Sequence, residues 1–151
     1  MSGGATPTAF AQIVLAMQAA LQSAPAVAPH IMRARVRQLP EQMATAVVVR
    51  PLRADPLERN LQGMPIRWAI HVEVEAYARA TGTTSADEVV DPLVMAIYQR
   101  LAADPTLGGA VVGTYPDTVA LDFDVDGERT VCATLNFSVH KFDQSANFSQ
   151  E

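Results

Sequence analysis

Residues 66–77 read IRWAIHVEVEAY, and this stretch decides how the chain folds. Apolar and polar residues alternate along it, with Ala69 as the one exception. The apolar set is Ile66, Trp68, Ile70, Val72, Val74 and Ala76. Alternation with a period of two predicts a strand with one buried face and one wet face. At about 3.3 Å per residue the strand would run roughly 40 Å. It therefore needs partner strands along its length and an apolar cover on one side.

Composition places the chain among globular single domains. Its 151 residues are 49% hydrophobic and 18% charged, which is enough for one packed core and too apolar for a disordered chain. The net charge of -5 argues against nucleic-acid binding across the whole surface. Cys132 is the single cysteine, so no internal disulfide is expected, in keeping with a reducing compartment. We predict neither a signal peptide nor a membrane-spanning segment.

Two stretches of the chain have helical periodicity. The first begins near Thr6-Pro7 and ends near Ser23, and its apolar stripe is Phe10, Ile13, Val14, Met17 and Leu21. The second follows a capping-box pattern, Ser85 to Glu88. Its stripe is Val90, Leu93, Val94, Ile97 and Leu101. Pro92 lies inside this second helix, which therefore either starts afresh at Asp91-Pro92 or is kinked there.

Four further segments read as strands. Residues 31–38 and 45–50 are short alternating or β-branched runs, and 51–65 reads as a long loop with prolines at both ends. Near the end of the chain, alternating residues 119–125 and 131–139 flank Asp126-Gly127, a strong signal for an antiparallel hairpin.

These elements predict an α+β fold with two layers. A mixed or antiparallel sheet of about five strands carries two helices on one face, in the order α-β-β-β-α-β-β. We expect a single domain over 1–151, with flexible tails at 1–6 and 143–151. The helices are expected to cover the apolar face of every strand. The other face is left to meet water or another copy of the protein.

No pattern of catalytic or ligand-binding residues emerges. Residues 122–127, DFDVDG, resemble the start of a calcium loop, but Ala133 stands where that loop needs a glutamate. The histidines, His30, His71 and His140, lack the spacing of metal ligands. Cys132 has no base nearby in the sequence, and an exposed strand face accounts for Glu73 and Glu75. We therefore expect no enzyme, no cofactor and no metal site.

Charge placement is the more informative pattern. One predicted strand carries a row of arginines and another begins with a row of aspartates. Both rows could be solvated, could pair within one sheet, or could pair across a subunit boundary. We take the last as the hypothesis for oligomer assembly. The candidate interface residues are Arg33, Arg35, Arg37, Glu73, Glu75, Asp122 and Asp124.

Most of the chain, from 10 to 142, resembles the tail terminator (tail completion) proteins of long-tailed bacteriophages, the lambda minor tail protein U type. The resemblance rests on the first helix, TAVVVRPL at 45–52, the strand IRWAIHVEVEAYARA, AIYQRLAADPTLGGAV at 96–111 and ATLNFSVHKF at 133–142. None of these motifs is catalytic. The chain departs from the family pattern at Pro92 and over 51–65.

This resemblance implies structural work in the virion. Such proteins form a ring, usually hexameric, at the head-proximal end of the tail tube, where it stops tube polymerisation and presents a surface to the head–neck complex. The implied partners are sister copies, the tail tube protein and a head–neck connector protein, with no nucleic-acid sequence readout and no membrane. The implied location is the tail or neck of the virion, after assembly in the host cytoplasm.

Two segments are candidates to order on the tube end, namely 51–65 and 143–151. The charged residues of the first are Arg53, Asp55, Glu58 and Arg59. Two other functions stay open at this stage. One is another neck protein, such as a head–tail connector or head-closure subunit. The other is a small α+β ligand-binding domain or enzyme, which would need a concave pocket with convergent polar groups.

Overall fold

A computed structural model describes residues 9–32, 44–57, 66–123 and 130–143. These residues form two helices and five strands in the predicted order, which confirms the α+β fold class. The elements are α1 (Ala9–Gln22), β1 (Ile31–Met32), β2 (Thr45–Pro56), β3 (Ile66–Arg79), α2 (Ala86–Ala103), β4 (Gly113–Phe123) and β5 (Thr130–Asp143).

The strands form one mixed sheet in the order β1-β2-β3-β5-β4. The short β1 runs parallel to β2, and the other three neighbouring pairs are antiparallel. β3, the strand that contains residues 66–77, lies in the middle and pairs with β5 from Ile66↔Asp143 to Arg79↔Thr130. The predicted central strand is therefore confirmed, and its partners run along its full length.

Both helices lie on the same side of the sheet and enclose one core. α1 lies over β1 and β2, and α2 lies over β3 and β5. The predicted stripes are confirmed at their centres, since Ile13, Val14, Met17 and Leu21 of α1 and Val90, Leu93, Ile97 and Leu101 of α2 are all buried. The apolar row of β3 is buried against them, at Ile70, Val72, Val74 and Ala76.

α2 differs from the sequence prediction at its start. The helix is continuous from Ala86 to Ala103 with Pro92 inside it, so a fresh start at Asp91-Pro92 is wrong. The capping box does not close through the backbone either. The Ser85 hydroxyl instead donates to Glu88 Oε1 at 2.8 Å. Five buried side chains on one face hold α2 against the sheet, which offsets the loss of the backbone hydrogen bond that Pro92 cannot donate.

The predicted loop over 51–65 is wrong for residues 51–56, which belong to β2. The ladder with β3 continues to Pro56↔Trp68, because β3 is long enough to supply partners this far. Pro51 cannot donate a ladder hydrogen bond, and a register shift between Pro51 and Arg53 accommodates it. Residues 58–65 lie outside the described residues.

Two further strand boundaries differ from the prediction. β4 begins at Gly113, six residues earlier than the alternation indicates, and Asp143 is the last residue of β5 instead of the first of a tail. The pairing Phe123↔Val131 confirms the antiparallel hairpin, although its turn at 126–127 lies outside the described residues. Other predicted segments also lie outside the described residues, namely 33–38 of the first predicted strand, the tail 1–6, and 144–151 of the second tail.

Candidate assembly surfaces

β4 lies beyond the helical cover of the sheet. Val119 and Leu121 pair with Leu135 and Ala133 of β5 and so share the face that the helices occupy. Yet Val119 is 52% exposed and Leu121 is 51% exposed. The expectation that the helices cover the apolar face of every strand is therefore wrong for β4. The reason is geometric: α2 lies over β3 and β5, while β4 is one strand further out.

On the opposite face of the sheet, Glu73 and Glu75 are held by an arginine from the neighbouring strand. Arg50 Nη2 lies 2.5 Å from Glu73 Oε2, and Arg50 Nε lies 3.6 Å from Glu75 Oε1. The register pairs Arg50 with Glu73 directly. The hydrogen bond with Glu73 raises the pKa of Arg50 above its ordinary value.

Glu75 does not meet water as its predicted face implies. It is 4% exposed, and the carboxylate lies beside the thiol of Cys132, with Cys132 Sγ 3.8 Å from Glu75 Oε2. Burial and the negative charge of Glu75 raise the pKa of Cys132 to about 11. A thiol in this setting is a poor nucleophile at neutral pH. The predicted role of Glu73 and Glu75 at an oligomer interface stays a prediction.

Arg53 and Asp55, predicted to lie in a contact loop, are on β2 and join a polar cluster that crosses the sheet. Asp55 Oδ2 accepts from Arg53 Nε at 3.1 Å and lies 3.0 Å from His71 Nε2. The hydrogen bond from Arg53, followed by that from His71, lowers the pKa of Asp55. On the other side of His71, its Nδ1 lies 3.3 Å from the hydroxyl of Ser138.

This cluster superficially resembles a Ser–His–Asp arrangement, but its protons are placed differently. The Ser138 hydroxyl donates to Asp117 Oδ2 at 2.8 Å. A serine that acts as a nucleophile needs its proton directed at the imidazole. Here the hydroxyl lies closer to the carboxylate than to His71 Nδ1, 2.8 Å against 3.3 Å, and Ser138, His71 and Asp55 form a cross-strand hydrogen-bond network that links β2, β3 and β5 and, through Asp117, reaches β4.

A second row on the same face was not anticipated from sequence. Arg67 Nη2 lies 2.9 Å from His140 Nδ1, the His140 ring is 4.6 Å from that of Tyr115, and the Arg67 guanidinium lies 5.9 Å from the centre of the Phe142 ring. Burial and the charge of Arg67 lower the pKa of His140. Tyr115 and Phe142 are exposed. The only signal in the sequence for this row was that Tyr115 and Phe142 occupy alternate positions along β4 and β5, away from the core-facing residues.

The remaining predicted site residues divide into two groups. Asp122 is exposed on β4, on the face opposite the helices, since it pairs with Cys132. The other predicted interface and contact residues lie outside the described residues, namely Arg33, Arg35, Arg37, Asp124, Glu58 and Arg59.

The described part of the chain contains neither a candidate metal site nor a helix that could span a membrane. No three His, Cys, Asp or Glu side chains there are grouped to hold a metal ion. Neither α1 nor α2 combines the length and the apolar character needed to cross a membrane.

Comparison with known proteins gives a structural likeness but no match to a family model or a curated protein. Among solved structures, the chain is similar to a chain from the virion of a native gene transfer agent (GTA) particle, with 14% sequence identity and a TM-score of 0.48. The match covers 89% of this chain and 98% of that one. A likeness of this size does not assign a function.

Proposed function

We propose that this protein is a structural component of a phage-like virion, a tail terminator that forms a ring at the head-proximal end of the tail tube. In this role it stops tube polymerisation and presents a surface to the head–neck complex. It works by shape and assembly, without catalysis and without a cofactor. The motifs at 45–52, 96–111 and 133–142 that resemble the terminator family support the proposal.

The observation that carries the proposal is the uncovered apolar row of β4. Val119 and Leu121 extend the apolar face of the sheet past the end of its helical cover. Exposed strand edges with apolar residues invite pairing with another chain, and soluble proteins usually shield them with charges, prolines or covering elements. The segment from Thr118 to Phe123 follows Pro116 and has no proline, lysine or arginine of its own, and its one charged residue, Asp122, lies on the other face of the sheet. A neighbouring subunit is the natural cover.

Strand order supports a ring over a simple pair. β1 and β4 are the two edges of the described sheet, at opposite ends of the strand order. In the sequence, Arg33, Arg35 and Arg37 follow directly after β1, whereas Asp122 is on β4 and Asp124 follows it. On the predicted strand 31–38 the arginines would stand at the edge opposite β4, and opposite charges at opposite edges favour head-to-tail contacts, which close into rings when the rotation permits.

We propose that the end of β2 contacts the tail tube or the neck. Arg53 and Asp55 are exposed or half-exposed at the end of β2. They are held in a strand and not in a loop, so this part of the contact surface is preformed, and the predicted contribution of 58–65 is additional.

Native mass spectrometry of the full chain, with and without tail tube protein, tests this proposal. The expected result is a ring of several subunits, either in solution or once tubes are added. A parallel pull-down compares tail tube protein with portal protein as bait. Binding to portal protein alone would favour a head–tail connector or head-closure subunit. A monomer that ignores tubes and binds a small molecule tightly would overturn the structural role.

A further inference from the structure

The helices leave one edge of the sheet uncovered. Along the strand order β1-β2-β3-β5-β4, α1 covers the first two strands and α2 covers the next two. β4 is the fifth strand, and its apolar side chains on the helix side are half-exposed. A third helix over β4 would complete the layer, and the described residues contain only two.

α1 has the surface of a helix that packs on two sides. Its sequence over Ala9–Gln22, AFAQIVLAMQAALQ, contains no charged residue. Ile13, Val14, Met17 and Leu21 fill the core of its own subunit, while Leu15 is 51% exposed. Surface helices ordinarily carry charged residues on the side away from the core. The neutral outer side of α1 therefore suits contact with protein, and α1 lies at the β1–β2 edge, opposite β4.

The charges on the other face of the two edges are complementary. β4 carries Asp117 and Asp122 and has no lysine or arginine from Gly113 to Phe123. At the opposite edge, Arg53 is 64% exposed and points to the same face of the sheet, since it pairs with His71. Its existing partner Asp55 is also well exposed, so that ion pair is weak and leaves the guanidinium free to bind a second carboxylate.

We infer that the β4 edge of one copy packs head-to-tail against the β1–β2 edge of a second copy. The neighbour's α1 covers Val119 and Leu121 on the helix side, and the neighbour's Arg53 meets the β4 carboxylates on the other side. This inference rests on the proposed ring and assigns its contact surface, and it gives Arg53 to the contact between subunits instead of to the contact with the tube or neck. Each copy then supplies the helix that the previous copy lacks, so the two-layer architecture continues around the ring.

The symmetric alternative, two β4 edges facing each other, fits less well. It brings together two rows that contain Asp117 and Asp122 and no cation. Like charges across a contact oppose association. It also leaves α1 and its exposed Leu15 without a role. The head-to-tail contact uses both edges and places opposite charges together.

Cysteine cross-linking distinguishes these arrangements. In the full chain with Cys132→Ser, the changes Leu15→Cys and Val119→Cys are made singly and together, and the assembled protein is treated with a short bismaleimide. The double variant is expected to give a ladder of covalent oligomers. Mixing the two single variants is expected to give one dimer band, and each single variant alone to give none. A matched control pairs Val119→Cys with Thr83→Cys, in the exposed turn after β3, and is expected to give no ladder.

The outcomes separate this inference from the proposed function. Assembled rings without a Leu15–Val119 cross-link would overturn the contact and leave the ring intact. Dimers from Val119→Cys alone would show the symmetric contact and overturn the inference. Absence of any assembly by native mass, with tubes present, would overturn both.

Charge exchange supplies a second, independent test. Asp122→Arg and Arg53→Glu are each expected to weaken subunit association roughly two- to fivefold, the usual size of an exposed ion-pair contribution. Combining them is expected to restore most of the loss. Equal losses that simply multiply in the double variant would contradict a direct contact between the two positions.

Discussion

β5 and β4 are neighbours in one sheet, have similar alternation in sequence, and differ in what covers them. The apolar residues of β5 are at most 3% exposed, from Val131 to Val139, because α2 packs on them. Val119 and Leu121 face the same side and are half-exposed. The difference shows that alternation in a strand specifies which side chains share a face, whereas the packing of other elements decides whether that face is buried.

The covered part of the sheet is expected to carry most of the stability. Ile97→Ala removes a fully buried side chain of α2 and should lower the free energy of unfolding by about 2–5 kcal/mol, through lost transfer free energy and the cavity left behind. Urea denaturation of the purified variant measures this loss. Met95→Ala, at an exposed position of the same helix, is the matched control and should cost under about 0.5 kcal/mol. Similar losses for both variants would show that α2 does not cover the sheet as described.

The second face of the sheet should show the same contrast in its ion pairs. Arg50→Met leaves Glu73 and the buried Glu75 without their cation and should destabilise the protein by roughly 2–4 kcal/mol. Thermal and urea unfolding measure the loss. Arg53→Met removes an exposed pair and should cost about 1 kcal/mol or less. A cost for Arg50→Met no larger than for Arg53→Met would mean that the Glu75 carboxylate is solvated.

The thiol on the polar side of β5 should react slowly. With the pKa of Cys132 raised to about 11, about one thiol in a thousand is ionised at pH 8, against roughly a quarter for an ordinary cysteine. Alkylation by iodoacetamide should therefore be at least about tenfold slower in the native protein than in urea, since the greater nucleophilicity of a high-pKa thiolate offsets part of the lower ionised fraction, and its rate should keep rising with pH toward 11. A native rate that levels off near pH 9 would contradict the buried setting beside Glu75.

The sequence was sufficient for the order of the elements because their periodicity is local. The alternation around Val72 and the helical stripe around Ile97 each predicted one buried side, and the structure buries both. The extension of β2 could not be predicted in this way. Its residues include Pro51 and Arg53, which read as loop, and only the length of β3 extends the ladder to Pro56.

The candidate surfaces were harder to predict than the strands, because they depend on contacts between residues that are distant in sequence. Arg50 finds Glu73 through the register between β2 and β3, and nothing local marks that pair. The exposure of Leu121 follows from the position of α2 over β5, which is set by the packing of the whole helix. Apolar and charged rows can therefore be identified from the sequence, but the rows that the fold leaves exposed cannot.

Leu121→Thr should have the smallest effect on the isolated subunit and so gives the sharpest test of the comparison. Threonine is β-branched and therefore suits a strand, and the position is half-exposed, so the free energy of unfolding of the monomer should change by under about 0.5 kcal/mol. Assembly should nevertheless weaken, because the neighbour's cover then buries a hydroxyl in place of an apolar group. Urea denaturation at a concentration below assembly measures the first effect, and native mass measures the second. Leu135→Thr, on covered β5 at the position paired with Val119, should lower stability by well over about 1 kcal/mol, since it buries a hydroxyl and leaves a cavity in the core. If the two variants lost equal stability as monomers, β4 would be covered within the subunit itself, and its apolar row would not be a surface for assembly.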